Sequence, residues 1–433
     1  MQGATDTIFA VASGAGQAAV TVLRLSGPAS GGLLDQLCHR RPAPRAATVR
    51  TLRAADGEVL DRALVLWLPG PGSYTGEDSA ELHLHGGRAV LDGVTDALVE
   101  GGARPAEPGE FTRRAFLHGR MDLLEAEAVA DLVSAETAAQ RQQALRQLGG
   151  ALGSLYRGWT ERLTRLVAQQ EALIDFPDED LPPETEAATL RDMAAIRGEI
   201  TAHLNDGRRG ERLREGLVIA VTGPPNVGKS TLINALAGRE VAIVSPHAGT
   251  TRDVLEARIV LGGVPVTLLD TAGLRETADP IEAEGVRRAR ARAAAADFLI
   301  VVRDSNDVAE VARPDGAGML TVANKADLGV DPGDAQIVVS ALTGAGMSAL
   351  RERLAGEARR LADAAGPPAL TRTRHRAGLA DAASWLGHAE AAGLPELRGE
   401  ALRVALRGIG RVTGRVGTED VLDAVFSQFC IGK

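Results

Sequence analysis

The sequence predicts a multidomain chain of mixed class. It comprises an α+β N-terminal domain over residues 1–117, a discontinuous helical domain over 118–212 and 365–433, and a parallel-sheet α/β domain inserted at 213–364. Three observations predict this. Up to about residue 115, short β-type runs are broken by Gly and Pro. From Phe111 to about Arg208, and again from about Leu370, the chain is rich in Ala, Leu, Glu, Arg and Gln at helical spacing. Between them, residues 216–363 alternate near-continuous apolar runs with helix-forming stretches, the pattern of a parallel sheet covered on both faces.

The N-terminal strand signals are AAVTVLRLSG, ALVLWLPGPGSYTGED and AELHLHGG, with one helical stretch near Arg88 to Val99. After Pro108 the helical character begins, strongest in EAEAVADLVSAETAAQRQQALRQL. DFPDEDLPPETE, Asp175 to Glu186, interrupts it and reads as a solvated turn. Five strand-like runs follow: GLVIAVTG, VPVTLLDTAG, DFLIVVRD, GMLTVANKAD and AQIVVSAL. Helical signals then return and end in VLDAVFSQFCIGK.

A length of 433 residues suggests about three domains. With 45% hydrophobic and 24% charged residues, a sizeable core forms, which excludes collagen-like, disordered and mini-protein classes. A net charge of −9 argues against a dedicated nucleic-acid-coating protein, although a local basic patch still permits RNA contact. Two cysteines, Cys38 and Cys430, provide no disulfide framework or Cys-based zinc site, which fits a reducing cytosol. The first residues lack a basic segment ahead of a long apolar stretch, and runs such as Phe298 to Val302 are too short to span a bilayer. The expectation is a cytoplasmic protein with no membrane partner.

Gly223 to Ser230 fits the pattern G-x-x-x-x-G-K-[ST], following the strand-like LVIAVT and opening the helix-like STLINALAG. Its glycines let backbone N–H groups close around phosphate oxygens, and the helix start adds a favourable field for anions. Asn226, Val227, Gly228, Lys229, Ser230 and Thr231 are the candidate phosphate contacts. Lys229 should reach the β- and γ-phosphates, and Ser230 should ligate Mg2+. Asp270, Thr271, Ala272 and Gly273 end the run VTLLD, where the carboxylate can hold Mg2+ through water and Gly273 can donate to the γ-phosphate. Asn324, Lys325, Ala326 and Asp327 end another run, and the Asp327 carboxylate can accept from guanine N1–H and the 2-amino group. Adenine presents neither donor pattern, so GTP is expected over ATP. Ser340, Ala341 and Leu342 should contact the base through backbone. The order and spacing of these segments resemble the GTPase superfamily.

A Ras-like Gln for positioning water would fall at Leu274, which cannot serve. Glu282, in DPIEAEGVRRAR, is the candidate replacement, with a solvated helix-face glutamate as the plain alternative. No arginine finger can be named. The Asn226 amide oxygen, with carbonyls from Ser245, Pro246, His247, Ala248, Gly249, Thr250 and Thr251, could instead hold a monovalent cation beside the phosphates. Thr251 or Thr250 is the candidate Mg2+ ligand of this segment.

These motifs, taken with others along the chain, resemble the MnmE (TrmE) family of tRNA-modification GTPases. The resemblance includes Leu23-Arg-Leu-Ser-Gly27, PGPGSYTGED, Glu81, HGG, PGEFTRRAF, DLLEAEAVADL, GTTRD, DTAGLRET and the terminal FCIGK. It implies an N-terminal domain that binds tetrahydrofolate and dimerises, a helical domain, and an inserted Ras-like P-loop GTPase domain. It further implies homodimers and a heterotetramer with an FAD-containing partner, MnmG (GidA). A 5-formyl- or 5,10-methylene-tetrahydrofolate one-carbon donor would serve aminomethyl or carboxymethylaminomethyl addition at C5 of the wobble uridine of tRNA. By this match Asn226, Ser245, His247 and Thr250 surround K+, Ser230 and Thr251 bind Mg2+, and Glu282 is catalytic. His247 stands where the family is usually aliphatic, a change that a carbonyl ligand survives. Arg24, Glu81, Arg120 and Lys433 match folate-contacting positions, with Arg120 standing where relatives carry Lys.

Other features read more plainly. His83 and His85 can share a sheet face, but two histidines without a carboxylate cluster are usually structural. Cys430 is a weak nucleophile candidate without a visible base. Arg287, Arg288, Arg290 and Arg292, like Arg40, Arg41 and Arg45, read as solvated faces more readily than RNA contacts. The alternative function is an Era-like regulatory GTPase of ribosome assembly that performs no covalent modification.

Overall fold

The computed structural model describes residues 6–14, 16, 18–175, 183–238, 256–270, 293–303, 318–329, 333–362 and 368–414, with 422, 425–427, 429 and 432. The chain divides into two compact units. One is Met1–Ala130 with Leu148–Thr160 and Leu406–Lys433, and the other is Asp131–Gln147 with Glu161–Ala405.

In the first unit the elements are β1 (Ile8–Val11), β2 (Ala18–Ser26), α1 (Ser30–Cys38), β3 (Thr48–Arg53), β4 (Val59–Leu68), β5 (Ser79–Gly86), α2 (Arg88–Glu100), β6 (Arg104–Pro105) and α3 (Glu110–Leu117). The strands form one sheet in the order β3-β4-β5-β2-β1-β6, antiparallel except for β1 with β6. Period-2 alternation sends Ala63, Val65 and Trp67 of β4 and Ala80, Leu82 and Leu84 of β5 into a core with Leu33, Leu34 and Leu37 of α1 and Val94 and Leu98 of α2. Each Val or Leu among them contributes about 1.5–3 kcal/mol on burial. α1 carries no helical signal in its residue pattern, because its SGG start is poor helix material. Burial of the three leucines supplies the stability instead, and a Cβ at Gly31 would push aside the Arg41 guanidinium and crowd the Trp67 ring.

A charge network centred on the buried Arg114 fastens this sheet to α3. Arg114, 2% exposed, donates to Asp6 Oδ1 and Glu110 Oε1, each at 2.8 Å, and to Glu77 Oε2 at 3.2 Å. Arg104 donates to the same Asp6 at 2.5 Å and to Glu110 at 2.6 Å. Burial pushes the Asp6 and Glu110 carboxyls up, but the hydrogen bonds and charges of Arg104 and Arg114 outweigh it and hold both below their ordinary values. Their stabilisation is therefore present at neutral pH and lost as pH falls below about 4, through the depressed native values. Arg114→Ala should cost about 3–5 kcal/mol, because it removes a buried cation and leaves the largely buried Glu77 without one, while Asp6 and Glu110 keep Arg104. Chemical denaturation from pH 7 to pH 3 checks this: the variant should show a smaller loss on acidification than the parent chain.

The end of the chain returns to this unit. Leu422, Val425, Phe426 and Phe429 pack with Leu123 and Ala126. Gly109, with φ +69°, has no room for a Cβ beside the Phe426 carbonyl. Gly432 lies against the Val11 carbonyl of β1.

The helical elements are α4 (Leu123–Ser134), α5 (Ala138–Leu148), α6 (Ala151–Asp175), α7 (Pro183–Leu204) and α8 (Arg209–Glu215), then, after the inserted α/β part, α11 (Thr373–Ala391) and α12 (Pro395–Thr413). The inserted part contains β7 (Leu217–Thr222), α9 (Lys229–Ala237), β8 (Glu256–Leu261), β9 (Val264–Asp270), β10 (Phe298–Arg303), β11 (Gly318–Ala323), a 3-10 turn at Ala326–Leu328, β12 (Ile337–Val338) and α10 (Met347–Leu361). Its sheet order is β12-β11-β10-β7-β9-β8, parallel except for β8 with β9. The expected α/β sheet is thus present, with all five strand-like runs in it. β8 is an addition that the sequence reading did not make. It is an edge strand joined to β9 through Gly262 and Gly263, whose φ values of +60° and +85° suit a two-residue hairpin turn.

Candidate functional site

The apolar strand β7 runs straight into the phosphate-loop sequence. Gly223 has φ +145°, and a Cβ there would collide with the Val302 carbonyl of β10, so the loop can turn only with glycine. Asn226 takes φ +64° and Gly228 φ +90°, the latter as the N-cap of α9. The loop therefore curls back over the first turn of α9, whose N–H groups have no acceptor within the helix. Lys229 is 5% exposed, and its Nζ donates to the carbonyls of Gly223 at 2.9 Å and Pro224 at 2.6 Å. Burial pushes the ammonium below its usual range, partly offset by Asp270. A buried cation at a helix start, where the first N–H groups lack helical acceptors, suits an oxyanion.

Asp270 ends β9 directly beside Val221 of β7. The Ser230 hydroxyl donates to Asp270 Oδ2 at 2.5 Å. A hydroxyl and a carboxylate at one point are hard oxygen donors, which fits Mg2+ better than a softer metal.

The base side is built on Asn324, 4% exposed. Its amide donates to the Val227 carbonyl at 3.0 Å, and its oxygen accepts from Ala341 N–H at 3.0 Å. One side chain thus ties the phosphate loop to the segment after β12. Lys325 takes φ +65° and caps the 3-10 turn containing Ala326 and Asp327. Ser340, fully buried, donates to Asp327 Oδ1 at 2.5 Å and fixes the carboxylate's orientation. Leu342 is 81% exposed at the rim, and Thr231 is exposed on α9. Ser245 to Thr251, Thr271 to Gly273 and Glu282 lie outside the described residues, as do Arg287 to Arg292, Cys430 and Lys433.

In the N-terminal sheet, Arg24 of β2 stands directly across from Glu81 of β5. Its Nε and Nη2 both donate to Glu81 Oε1, at 3.1 and 2.9 Å. The guanidinium sits 5.4 Å from the Tyr74 ring centre and 5.9 Å from that of Phe111, within cation–π range. His83 lies on the same strand face, its Nε2 3.7 Å from Glu81 Oε2 and without a hydrogen-bond partner among the described residues. His85 does have a carboxylate partner: its Nδ1 is 2.7 Å from Asp61 Oδ1. The exposed Arg120 has its stem beside Gly76, in the loop that carries Tyr74. The sequence reading named Arg24, Glu81 and Arg120 but missed Tyr74, Phe111 and the His83 contact. Alternation along AELHLH was the available signal for His83; nothing local marks the two rings.

A parallel sheet carrying a phosphate loop, a hydroxyl–carboxylate pair and an Asn/Asp/Ser base-side loop defines the Ras-like P-loop GTPase class, here inserted into a larger chain. Residues 123–430 match the MnmE helical domain, and residues 7–120 match the N-terminus of the GTP-binding protein TrmE. The chain belongs to the MnmE (TrmE) family. The tRNA modification GTPase MnmE of Gluconacetobacter diazotrophicus is 59% identical over 434 residues, 98% of each chain. That of Granulibacter bethesdensis is 54% identical over 437 residues, 99% of each chain. Among solved structures, Aquifex aeolicus Era Y63A bound to GDP·AlF4− aligns with 32% of this chain and 56% of its own, at 26% identity and a TM-score of 0.24. Among the described residues, no helix is long and apolar enough to cross a membrane.

Proposed function

We propose that this chain is the GTP-hydrolysing subunit of a tRNA wobble-uridine C5-modification complex, acting in the cytoplasm. The observation that carries the GTPase half is the joining, through Asn324, of a phosphate-binding loop to a guanine-reading Asp327. Lys229 balances charge on the β- and γ-phosphates. Ser230 and Thr251 hold Mg2+ and Asp270 supports it through water; when bound, the ion screens charge on the phosphate oxygens. Glu282 orients a water whose oxygen attacks the γ-phosphorus as the bond to the bridging oxygen breaks, giving GDP and phosphate. Asn226, with Ser245, His247 and Thr250, holds K+ where an arginine finger would otherwise act.

The modification half rests on the family and on the N-terminal sheet face. Arg24, Glu81, Arg120 and Lys433 bind a reduced folate there, with Tyr74 and Phe111 holding Arg24 in place. The ion-paired Arg24 and Glu81 present fixed donors and an acceptor, which suits a flat heterocycle bearing both. The chain works as a homodimer with an FAD-containing MnmG partner. Nucleoside analysis of tRNA from a strain lacking the gene tests this reading. The C5-substituted wobble uridines should disappear; an unchanged nucleoside profile would favour an Era-like regulatory role.

A further inference from the structure

The inserted α/β part connects to the helical part through two stretches, α8 on the way in and Leu370 to Arg372 on the way out. They lie backbone to backbone: Gly210 of α8 has no room for a Cβ beside the Leu370 carbonyl and Ala369. Asp206, just ahead of α8, accepts from Leu370 N–H at 3.2 Å and from Arg376 of α11 at 2.8 Å.

Three charged residues of α8, Glu211, Arg212 and Arg214, then reach different neighbours. Glu211, 2% exposed, accepts from Arg376 at 3.2 Å. Arg214 donates at 2.9 Å to Asp131 of α4, which also accepts from Arg372 at 2.8 Å. From α5, Gln140 and Gln143 donate to the Arg214 and Gly210 carbonyls at 3.1 and 3.0 Å. These bonds attach α8 to α4, α5 and α11 of the helical part. Arg212 points the other way: its Nε donates to Asp297 Oδ1 at 2.7 Å. Asp297 is itself fixed to β7, its Oδ2 accepting from Val218 N–H at 3.0 Å and its N–H donating to the Val218 carbonyl at 2.9 Å. β7 leads directly into the phosphate loop, and Asp297 opens β10.

We propose that Arg212 is the positioning residue through which the nucleotide site and the helical part sense each other. Its bond to Asp297 is an ion pair by which α8 grips the base of β7 and β10, beside the apolar packing of Leu213 in the α/β core. A change of strand position at that base would move α8, and with it Glu211–Arg376 and Arg214–Asp131. The salt bridge between Arg258 of β8 and Glu136, at 3.3 Å, is a parallel brace that need not involve α8. Coupling of this kind is reciprocal, so a ligand on the helical part would alter nucleotide affinity through the same pair. The inference rests on the GTPase reading above.

Hydrogen exchange of the full chain, with GDP and with a non-hydrolysable GTP analogue, tests it in the parent, Arg212→Gln and Arg212→Lys. A fluorescent GTP analogue reports binding on the same samples. The parent should show a difference between nucleotides at the start of α11 and in α5. Arg212→Gln should shrink that difference about threefold or more while nucleotide affinity stays within about threefold, and Arg212→Lys should restore part of it. An undiminished difference in Arg212→Gln, or exchange raised equally in both nucleotide states, would overturn the proposal, as would a parent that binds nucleotide without any difference there. A parent that binds no guanine nucleotide overturns the GTPase reading itself, and this proposal with it.

Discussion

Lys229→Ala should abolish nucleotide-dependent activity in a chain that still folds. GTP affinity should fall by about a hundredfold or more and turnover by about a thousandfold, the scale for deleting a preorganised charge at a reacting phosphate. The native ammonium is buried and bonded to two loop carbonyls of its own chain. Those bonds hold it in the loop at the start of α9, so its desolvation cost is met before any phosphate arrives. Alanine removes both the charge and the carbonyl ties, and the loop loses its closure at Gly223 and Pro224. Titration with a fluorescent GTP analogue, alongside a melting curve, separates these effects. An affinity within about threefold of the parent would show that the cradle is not the phosphate site.

Glu282→Ala should give the complementary result. GTP and GDP binding should be retained, while turnover in K+ buffer should drop by about 10^2–10^4, the usual scale for a residue that positions or deprotonates the attacking group. Leu274 occupies the place where a Ras-like glutamine would stand and has no polar atom to offer. If turnover survives in Glu282→Ala, water is positioned by another group and the assignment of Glu282 is wrong. Single-turnover measurements with saturating GTP distinguish a slower chemical step from slower product release.

Much of the α/β part was legible in the sequence because its strands are buried on both faces and read as apolar runs. β8 escaped because an antiparallel edge strand alternates, and its EARIVL run carries a charge at every other early position. α1 escaped for a different reason: tertiary burial of Leu33, Leu34 and Leu37 overrides a glycine-rich start. In the nucleotide site, local motifs named Lys229, Ser230, Asp270, Asn324 and Asp327, since loop chemistry there is contiguous in sequence. The N-terminal face was only half legible. Tyr74 and Phe111 converge on Arg24 from distant parts of the chain, and no spacing rule brings them together.

The single buried amide of Asn324 has a consequence for fidelity. Because one side chain joins the phosphate loop to the guanine loop, the two ends of the bound nucleotide are not judged independently. A purine that displaced the Ala341 backbone would therefore also strain the bond to the Val227 carbonyl, so a misfit at one end should be felt at the other.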